Sequence, residues 1–321
     1  MNDSCQKLLR AEGDAFLELM HHEVEPYLDA HRRDTDMEVC GHRIRVRIFI
    51  ADEPVGKIII GHGFSEYGDK NNEMFYYFVQ MGYNVFLPEF VGHGYSERLV
   101  DDPSKVYVRS FDEYVGDMRA VTDLPLYQDD LPAFLLGHSM GGAIAALLTE
   151  RDPSLFRKVI LSSPMIHPNL GKYPEFLVGL IAFFRVLTHH EKDYVIGKKP
   201  FSGIRNMEGS SCGEAGRYEY TFGKRCADVT FQTWSATYGW LHACLKATRT
   251  LRRNARRLTA DTLVIYSGRD TMVDPPYTAR FASALPRATV VCITEAKHES
   301  FHCALPCRTA FYETIFDFLK T

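Results

Sequence analysis

The chain has 321 residues, 45% of them hydrophobic and 24% charged, which suits one large or two small soluble domains with a sizeable core. With 37 Lys and Arg against 41 Asp and Glu, the formal net charge is -4, so the broad basic face that nucleic-acid binding requires is not on offer. The opening MNDSCQKLLRAEGDAF carries acids where a secretory leader would be unbroken and apolar, and the longest apolar run, 176–184, is about half of the roughly 20 residues a membrane span needs.

Residues 1–36 mix helical spacing (Leu8, Leu9, Phe16, Leu17, Met20) with a polar, His-rich stretch and read as an N-terminal extension without an assigned role. From Met37 to Ile50, Ile44, Val46, Ile48 and Ile50 alternate with Arg43, Arg45 and Arg47, a half-buried strand folded back through Cys40-Gly41-His42. A continuously apolar strand, 57–60, then leads through a helix at 74–81 to a strand at 83–88. The rhythm continues with a helix at 111–127, strand 132–138, helix 141–150 and strand 158–162. It resumes with strand 262–266, helix 277–285, strand 289–293 and helix 308–319. Strand, helix, strand at this spacing predicts a mostly parallel sheet flanked by helices, an α/β fold with right-handed crossovers. In such sheets ligands lie beyond the carboxyl ends of the strands, so the loops there are where chemistry is sought.

The stretch FLLGHSMGGAIAALL, 134–148, is strand, tight turn and helix. Gly137 and Gly141, two residues either side of Ser139, leave room for the strained backbone that lifts a serine hydroxyl clear of the sheet. The Met140 amide opens the following helix and can donate to an oxyanion. Gly209-Ser210-Ser211-Cys212-Gly213 has the same spacing, but 203–208 form no strand and Glu214, Gly216 and Arg217 start no apolar helix. Ser211 therefore reads as a loop decoy.

A serine becomes nucleophilic when an imidazole takes its proton and an acid orients the imidazole. Asp270 follows one strand and His298 the next, giving the order Ser139, Asp270, His298. Asp274 is the reserve acid, although Pro275 and Pro276 suggest that it caps a helix. His62-Gly63 lets a loop approach the serine, so the Phe64 amide is the second oxyanion donor, with His62 and His138 structural. His298-Glu299-Ser300-Phe301-His302 also matches H-E-x-x-H, which on a long helix binds zinc. It begins just past a β-branched strand, Pro306 follows, and no third ligand is spaced for it, so no metal and no cofactor is expected. Eight cysteines without repeated spacing read as free thiols in a reducing compartment, making the cytoplasm the expected location. Arg252, Arg253, Arg256 and Arg257 read as a solvated helix face.

The stretches HGFSEYGDK (62–70), GYNVFLPEFVGHGYSE (82–97), GHSMGG (137–142), SGRDTMVD (267–274) and KHE (297–299) resemble the monoglyceride lipase and bacterial lysophospholipase branch of the α/β-hydrolases. The segment 98–114 is closer to the bacterial lysophospholipases, and Glu89 stands where many members carry aspartate. The resemblance implies an α/β-hydrolase core at 37–164 and 246–321, with a cap or lid at 165–245 inserted between two strands. It implies the triad Ser139, Asp270 and His298 and the oxyanion amides of Phe64 and Met140. The implied activity is hydrolysis of the acyl ester of a single-chain lipid, a lysophospholipid or a monoacylglycerol, through an acyl-serine. A serine aminopeptidase, with Glu208, Glu214 or Glu219 receiving the amine, is the enzymatic alternative. A non-catalytic ligand-binding relative is the other.

Within the expected cap, Pro174 to Leu187 is apolar on nearly every side, with Phe176, Leu177, Leu180, Ile181 and Phe184 as its main face. One face is expected to pack on the core and the other apolar side chains, Val178 and Phe183 among them, to line an acyl pocket or touch a membrane surface. Phe176, Leu180, Phe184 and Trp234 are the candidate substrate-contacting side chains.

Overall fold

The computed structural model describes residues 1–320. Its main sheet is built from β1 (Thr35–Val39), β2 (His42–Phe49), β3 (Gly56–Gly61), β4 (Tyr83–Pro88), β6 (Ala133–His138), β7 (Lys158–Ser162), β9 (Thr262–Ser267) and β10 (Ala288–Ile293), in the order β1-β2-β4-β3-β6-β7-β9-β10. β5 (Lys105–Val106) and β8 (Ser235–Ala236) pair separately. β1 and β2 are antiparallel, as are β2 and β4, and the remaining neighbours are parallel.

Alternation along each strand divides the core. Ile59, Phe86, Leu135, Val159, Leu161 and Val264 pack on one side with α5 (Phe111–Ala120), α6 (Met140–Arg151) and α9 (Tyr238–Asn254). Ile58, Ile60, Val85, Leu87, Ile160 and Leu263 pack on the other with α1 (Asp3–Arg10), α4 (Asn72–Gln80) and α11 (Leu305–Lys320). A sheet covered on both faces must be apolar at every position, which is why β3 and β7 read as unbroken apolar runs rather than alternating ones. The expected helix from 111 to 127 stops at Ala120 and continues as two short 3-10 turns, because Pro125 lacks the amide a longer helix would need.

Residues 1–31 are part of this packing. α1, α2 (Gly13–Leu19) and α3 (Glu25–His31), with a π turn at Met20–Val24, bury Cys5, Leu8, Leu9, Phe16 and Leu28 in the second cluster. Two buried guanidiniums hold the carbonyls where α1 ends. Arg308 reaches Leu9 O at 2.7 Å and Arg217 reaches Ala11 O at 2.9 Å.

Between β7 and β9 the chain forms α7 (Glu175–Leu187), an irregular stretch, α8 (Ala215–Ala227), β8 and α9. A helix does begin after the second serine motif, though not the apolar one that a serine turn would lead into. The Glu214 carboxylate accepts from the amides of Gly216 and Arg217, both at 2.9 Å, and so caps a helix whose onset has no apolar signature. α9 crosses position 245 without a break, so the division expected there falls inside a helix. The last parallel crossover passes through α10 (Pro275–Ala284).

At the centre, β3, β6 and the start of α6 touch through glycines. A Cβ at 141 would stand 2.1 Å from the Gly61 carbonyl oxygen, and one at 137 would stand 2.4 Å from the Gly141 oxygen. These are backbone contacts with no side chain to yield. Gly141→Ala is therefore expected to lower stability by about 1–3 kcal/mol, the usual cost of overpacking, read as a fall in the urea midpoint at unchanged slope.

Candidate active site

Ser139 sits between β6 and α6 with φ 53° and ψ -115°, a conformation an L-residue adopts only under constraint. The constraint is visible: Ser139 N donates to Ser162 O at 2.9 Å, while its carbonyl accepts from Ala143 N at 3.1 Å and Met165 N at 2.9 Å. Its hydroxyl does not cap α6. Met140 is the first residue of α6, where an amide has no acceptor within its own helix and lies at the positive end of the dipole.

Asp270 follows β9 and His298 follows β10, adjacent parallel strands, so their loops emerge side by side. His298 Nδ1 lies 2.6 Å from Asp270 Oδ2. Asp270 Oδ1 accepts from the amides of Met272 at 2.8 Å and Val273 at 3.0 Å. Burial pushes this carboxyl up, but the hydrogen bond and charge of His298 with the two amides outweigh it, and its pKa lies below the ordinary aspartate value. With Nδ1 donating to a carboxylate, Nε2 is left as the basic nitrogen. The His298 ring lies 4.8 Å from that of His138, the residue before the serine. The Ser139 hydroxyl and the His298 imidazole are not hydrogen-bonded to each other among the described residues; the serine turn is joined to the histidine loop through His138. Asp274 takes the N-cap position of α10 and faces His167, 3.8 Å away.

The loop after β3 carries Phe64. His62 is fully buried there, accepting from Phe90 N at 3.0 Å through Nε2 and donating to Gly63 O at 2.8 Å through Nδ1. Burial lowers its pKa, so it is held neutral in that tautomer. The Phe64 ring packs on Trp240 at 4.4 Å. Gly63 N donates to Glu66 Oε2 at 2.8 Å, and Lys70 Nζ sits between Glu66 Oε1 and Glu299 Oε1, both at 2.7 Å. Glu299 also accepts from the Ser211 hydroxyl at 2.5 Å and meets His302 Nδ1 at 2.8 Å. One buried ammonium thus ties the loop of Phe64, the loop of His298 and a segment between β7 and β9.

The H-E-x-x-H residues are divided among these contacts. His298 belongs to Asp270, His302 to Glu299, and the motif sits on a three-residue 3-10 turn instead of a long helix. Ser211, the decoy, is a tether. Lys297 adds a second one, donating to the carbonyls of Glu208, Ser210 and Cys212 at 3.1 to 3.3 Å. The sequence marks Glu66 and Lys70 only as an acid and a base four residues apart beside the glycine loop. Their partner Glu299 is 229 positions from Lys70 and carried no such signal.

Phe176, Leu180 and Phe184 lie on a solvent-facing side of α7, exposed by 72%, 49% and 52%. The face expected to pack on the core is the outward one, and the smaller Val178 and Ala182 make the inward contact. The Trp234 ring lies 5.3 Å from that of Phe201, tilted by 59°, and the Arg225 guanidinium lies over it at 5.2 Å. Arg252 is not simply solvated: it pairs with Glu175 at 2.9 Å and donates to Ile166 O at 2.8 Å.

Burial raises the Glu66 carboxyl, but Lys70 and then His138 overcome that and hold it at about 2 against an ordinary 4.5. Glu299 is likewise held well below its usual range, burial being outweighed by Lys70 and His302. Depressed folded-state values mean that their stabilisation is complete above about pH 4.5 and is lost as pH falls through the folded-state values, about 2 for Glu66. Lys70→Met, which strands both carboxylates, is expected to cost about 3–5 kcal/mol near neutral pH. Urea unfolding at about pH 7 and about pH 3 should show that difference shrinking in acid, where the stranded carboxylates protonate.

A family model described as "Serine aminopeptidase, S33" matches residues 52–302. A probable lysophospholipase L2 of Haemophilus influenzae is 28% identical over 248 residues, 75% of this chain and 76% of that protein. The human monoglyceride lipase is 37% identical over 118 residues, 36% of this chain and 37% of that one. Among solved structures, a monoacylglycerol lipase of Paleococcus ferrophilus superposes with a TM-score of 0.68 at 20% identity, covering 88% of this chain and 98% of that one. The architecture is the α/β-hydrolase fold, a mostly parallel sheet of eight strands flanked by helices.

Proposed function

Because the chain belongs to the serine aminopeptidase S33 family of hydrolases, we propose that it cleaves the acyl ester of a single-chain lipid, a lysophospholipid or a monoacylglycerol, through an acyl-serine. The observation that carries the mechanism is the 2.6 Å Asp270–His298 contact beside a strained serine. The relatives named lysophospholipase and monoglyceride lipase support the substrate class.

In the proposed reaction a rotation of the Ser139 hydroxyl or the imidazole brings Oγ to His298 Nε2. Oγ attacks the ester carbonyl carbon as its proton passes to Nε2, and Asp270 stabilises the imidazolium without taking the proton. The carbonyl oxygen becomes an oxyanion held by the amides of Phe64 and Met140. Collapse breaks the bond to the alcohol, which leaves with the proton from Nε2. Water then gives a proton to His298 and attacks the acyl-serine, releasing the fatty acid and restoring the hydroxyl. Water is the only co-reactant. Residues 165–245 are read as the cap over this site, and a lipid surface as the source of the ester.

Of the three acids weighed for a peptidase, Glu214 is consumed by the amides of Gly13, Gly216 and Arg217, Glu219 pairs with Arg205, and only Glu208 is exposed with no ion pair among the described residues. This favours esters over amino-terminal substrates.

Ser139→Ala is expected to reduce turnover of a soluble p-nitrophenyl ester by roughly 10⁶-fold and Asp270→Asn by roughly 10⁴-fold, with folding intact by circular dichroism. Full esterase activity in Ser139→Ala would overturn the mechanism. Across monoacylglycerols, lysophospholipids and amino-acid anilides, the lipid esters should turn over fastest; preference for anilides refutes the substrate assignment. A chelator should leave the rate unchanged, since both imidazoles of the H-E-x-x-H stretch are engaged by carboxylates.

A further inference from the structure

Among the described residues four arginines are buried, and three of them meet a carboxylate: Arg47 with Asp69, Arg217 with Glu73 and Arg308 with Glu12. The fourth, Arg225 in the last turn of α8, has no ion pair among the described residues. Its guanidinium lies over the rings of Trp234 at 5.2 Å and Tyr67 at 5.3 Å, and it donates to two carbonyls. Nη1 reaches Thr233 O at 2.6 Å and Nη2 reaches Ser65 O at 2.9 Å. A guanidinium taken out of water without a counter-ion is costly, and a neutral side chain of similar length would fill the same space at less cost. What the neutral side chain would lack is the pair of hydrogen bonds.

Ser65 follows Phe64. Glu66 N donates to Gly63 O at 3.3 Å, closing a four-residue turn in which Phe64 is second and Ser65 third. Ser65 has φ 57°, the left-handed conformation for which such a position normally carries glycine. A serine held there is strained, and the strain persists only where the surroundings maintain it. Gly63 N is bonded to Glu66 Oε2 and Gly63 O to His62 Nδ1, whereas Phe64 N has no acceptor among the described residues. The unengaged amide of the turn is thus the one assigned to the oxyanion. Among the described residues the Ser65 carbonyl is held by Arg225 alone.

α8 is a firm base for this contact. One turn before Arg225, Thr221 O accepts from the Tyr67 hydroxyl, so the helix grips the loop on both sides of Glu66. The helix is itself fixed to the N-terminal segment. Arg217 donates to Ala11 O at 2.9 Å, and Glu25 meets Tyr220 Oη and Lys224 Nζ, both at 2.7 Å.

The geometry points to Arg225 as a positioning residue for ester cleavage: by holding the Ser65 carbonyl it keeps the strained turn closed and the Phe64 amide directed at the developing oxyanion. It touches neither the substrate nor the reacting atoms and acts through the turn. An oxyanion donor is sensitive to such support, because its value lies in being placed before the charge forms. The inference rests on the acyl-serine reading and makes its rate depend on a helix inserted between β7 and β9.

The test compares wild type, Arg225→Met and Arg225→Lys on a soluble p-nitrophenyl ester, with circular dichroism and the urea midpoint as checks of folding. Arg225→Met should lower kcat roughly 10- to 100-fold with KM within about twofold, the pattern of an interaction made in the transition state. Its affinity for a trifluoromethyl ketone, whose adduct with Ser139 carries the oxyanion, should fall by a similar factor. Arg225→Lys keeps the charge but reaches only one carbonyl, and should fall between. Adding Ser65→Gly to Arg225→Met should restore much of the lost kcat, since glycine keeps a positive φ without being held. A merely structural arginine would lower the urea midpoint and leave kcat and ketone affinity of the folded protein unchanged. Unchanged kcat in Arg225→Met, a rise in KM alone, undiminished ketone affinity, or no recovery with Ser65→Gly each overturns the proposal. If Arg225→Met does not fold, the same comparisons on Arg225→Lys decide. Wild-type turnover matched by the variants defeats the positioning role alone, whereas absence of turnover and of fluorophosphonate labelling at Ser139 in the wild type defeats the esterase reading and this inference with it.

Discussion

The close approach of three backbone segments at the centre of the sheet governs what the site can be. Gly61 ends β3, Gly137 lies in β6 and Gly141 opens α6, and no Cβ fits at 137 or 141 without moving a neighbouring main chain. This contact fixes the distance between the loop that presents the Phe64 amide and the turn that presents the Ser139 hydroxyl and Met140 amide. Main-chain contacts inside a fully covered sheet have little freedom to relax. The strained angles of Ser139 persist because its amide and carbonyl are held from β7 and from the segment just beyond it.

Buried charges perform the longer-range positioning. Lys70 lies between Glu66 and Glu299, Arg217 pairs with Glu73 while holding the end of α1, and Arg308 holds the same end from α11. Arg47 pairs with Asp69 and Glu89, and Glu89 also accepts the amides of Gly68 and Tyr95. At position 89 the longer acid therefore serves to order loops. Each of these groups would be costly to bury alone and is tolerable because its partners come from other segments. The cost makes the arrangement specific, since a displaced loop would leave a charge unpaired.

The chemistry and the access to it are built differently. Ser139, Asp270 and His298 stand at the ends of strands, and their supports come from the sheet and its loops. α7 meets the rest of the molecule chiefly through a narrow strip of small residues, with its bulk directed outward.

The local pattern of the chain was sufficient for the sheet and for the serine turn. Continuous apolar runs identify covered parallel strands, and Gly-x-Ser-x-Gly between a strand and an apolar helix identifies a turn that holds its serine in strained angles. The order Ser139, Asp270, His298 could be read because each follows a recognisable strand. What could not be read depends on distance along the chain: the Lys70–Glu299 contact, the tether through Ser211, and the burial of residues 1–31 by Arg217 and Arg308. α7 illustrates the limit. Its composition announces an apolar helix, but which arc turns inward depends on how closely α9 approaches, and that is decided by Gly179 and Ala182 meeting a neighbour more than fifty positions away.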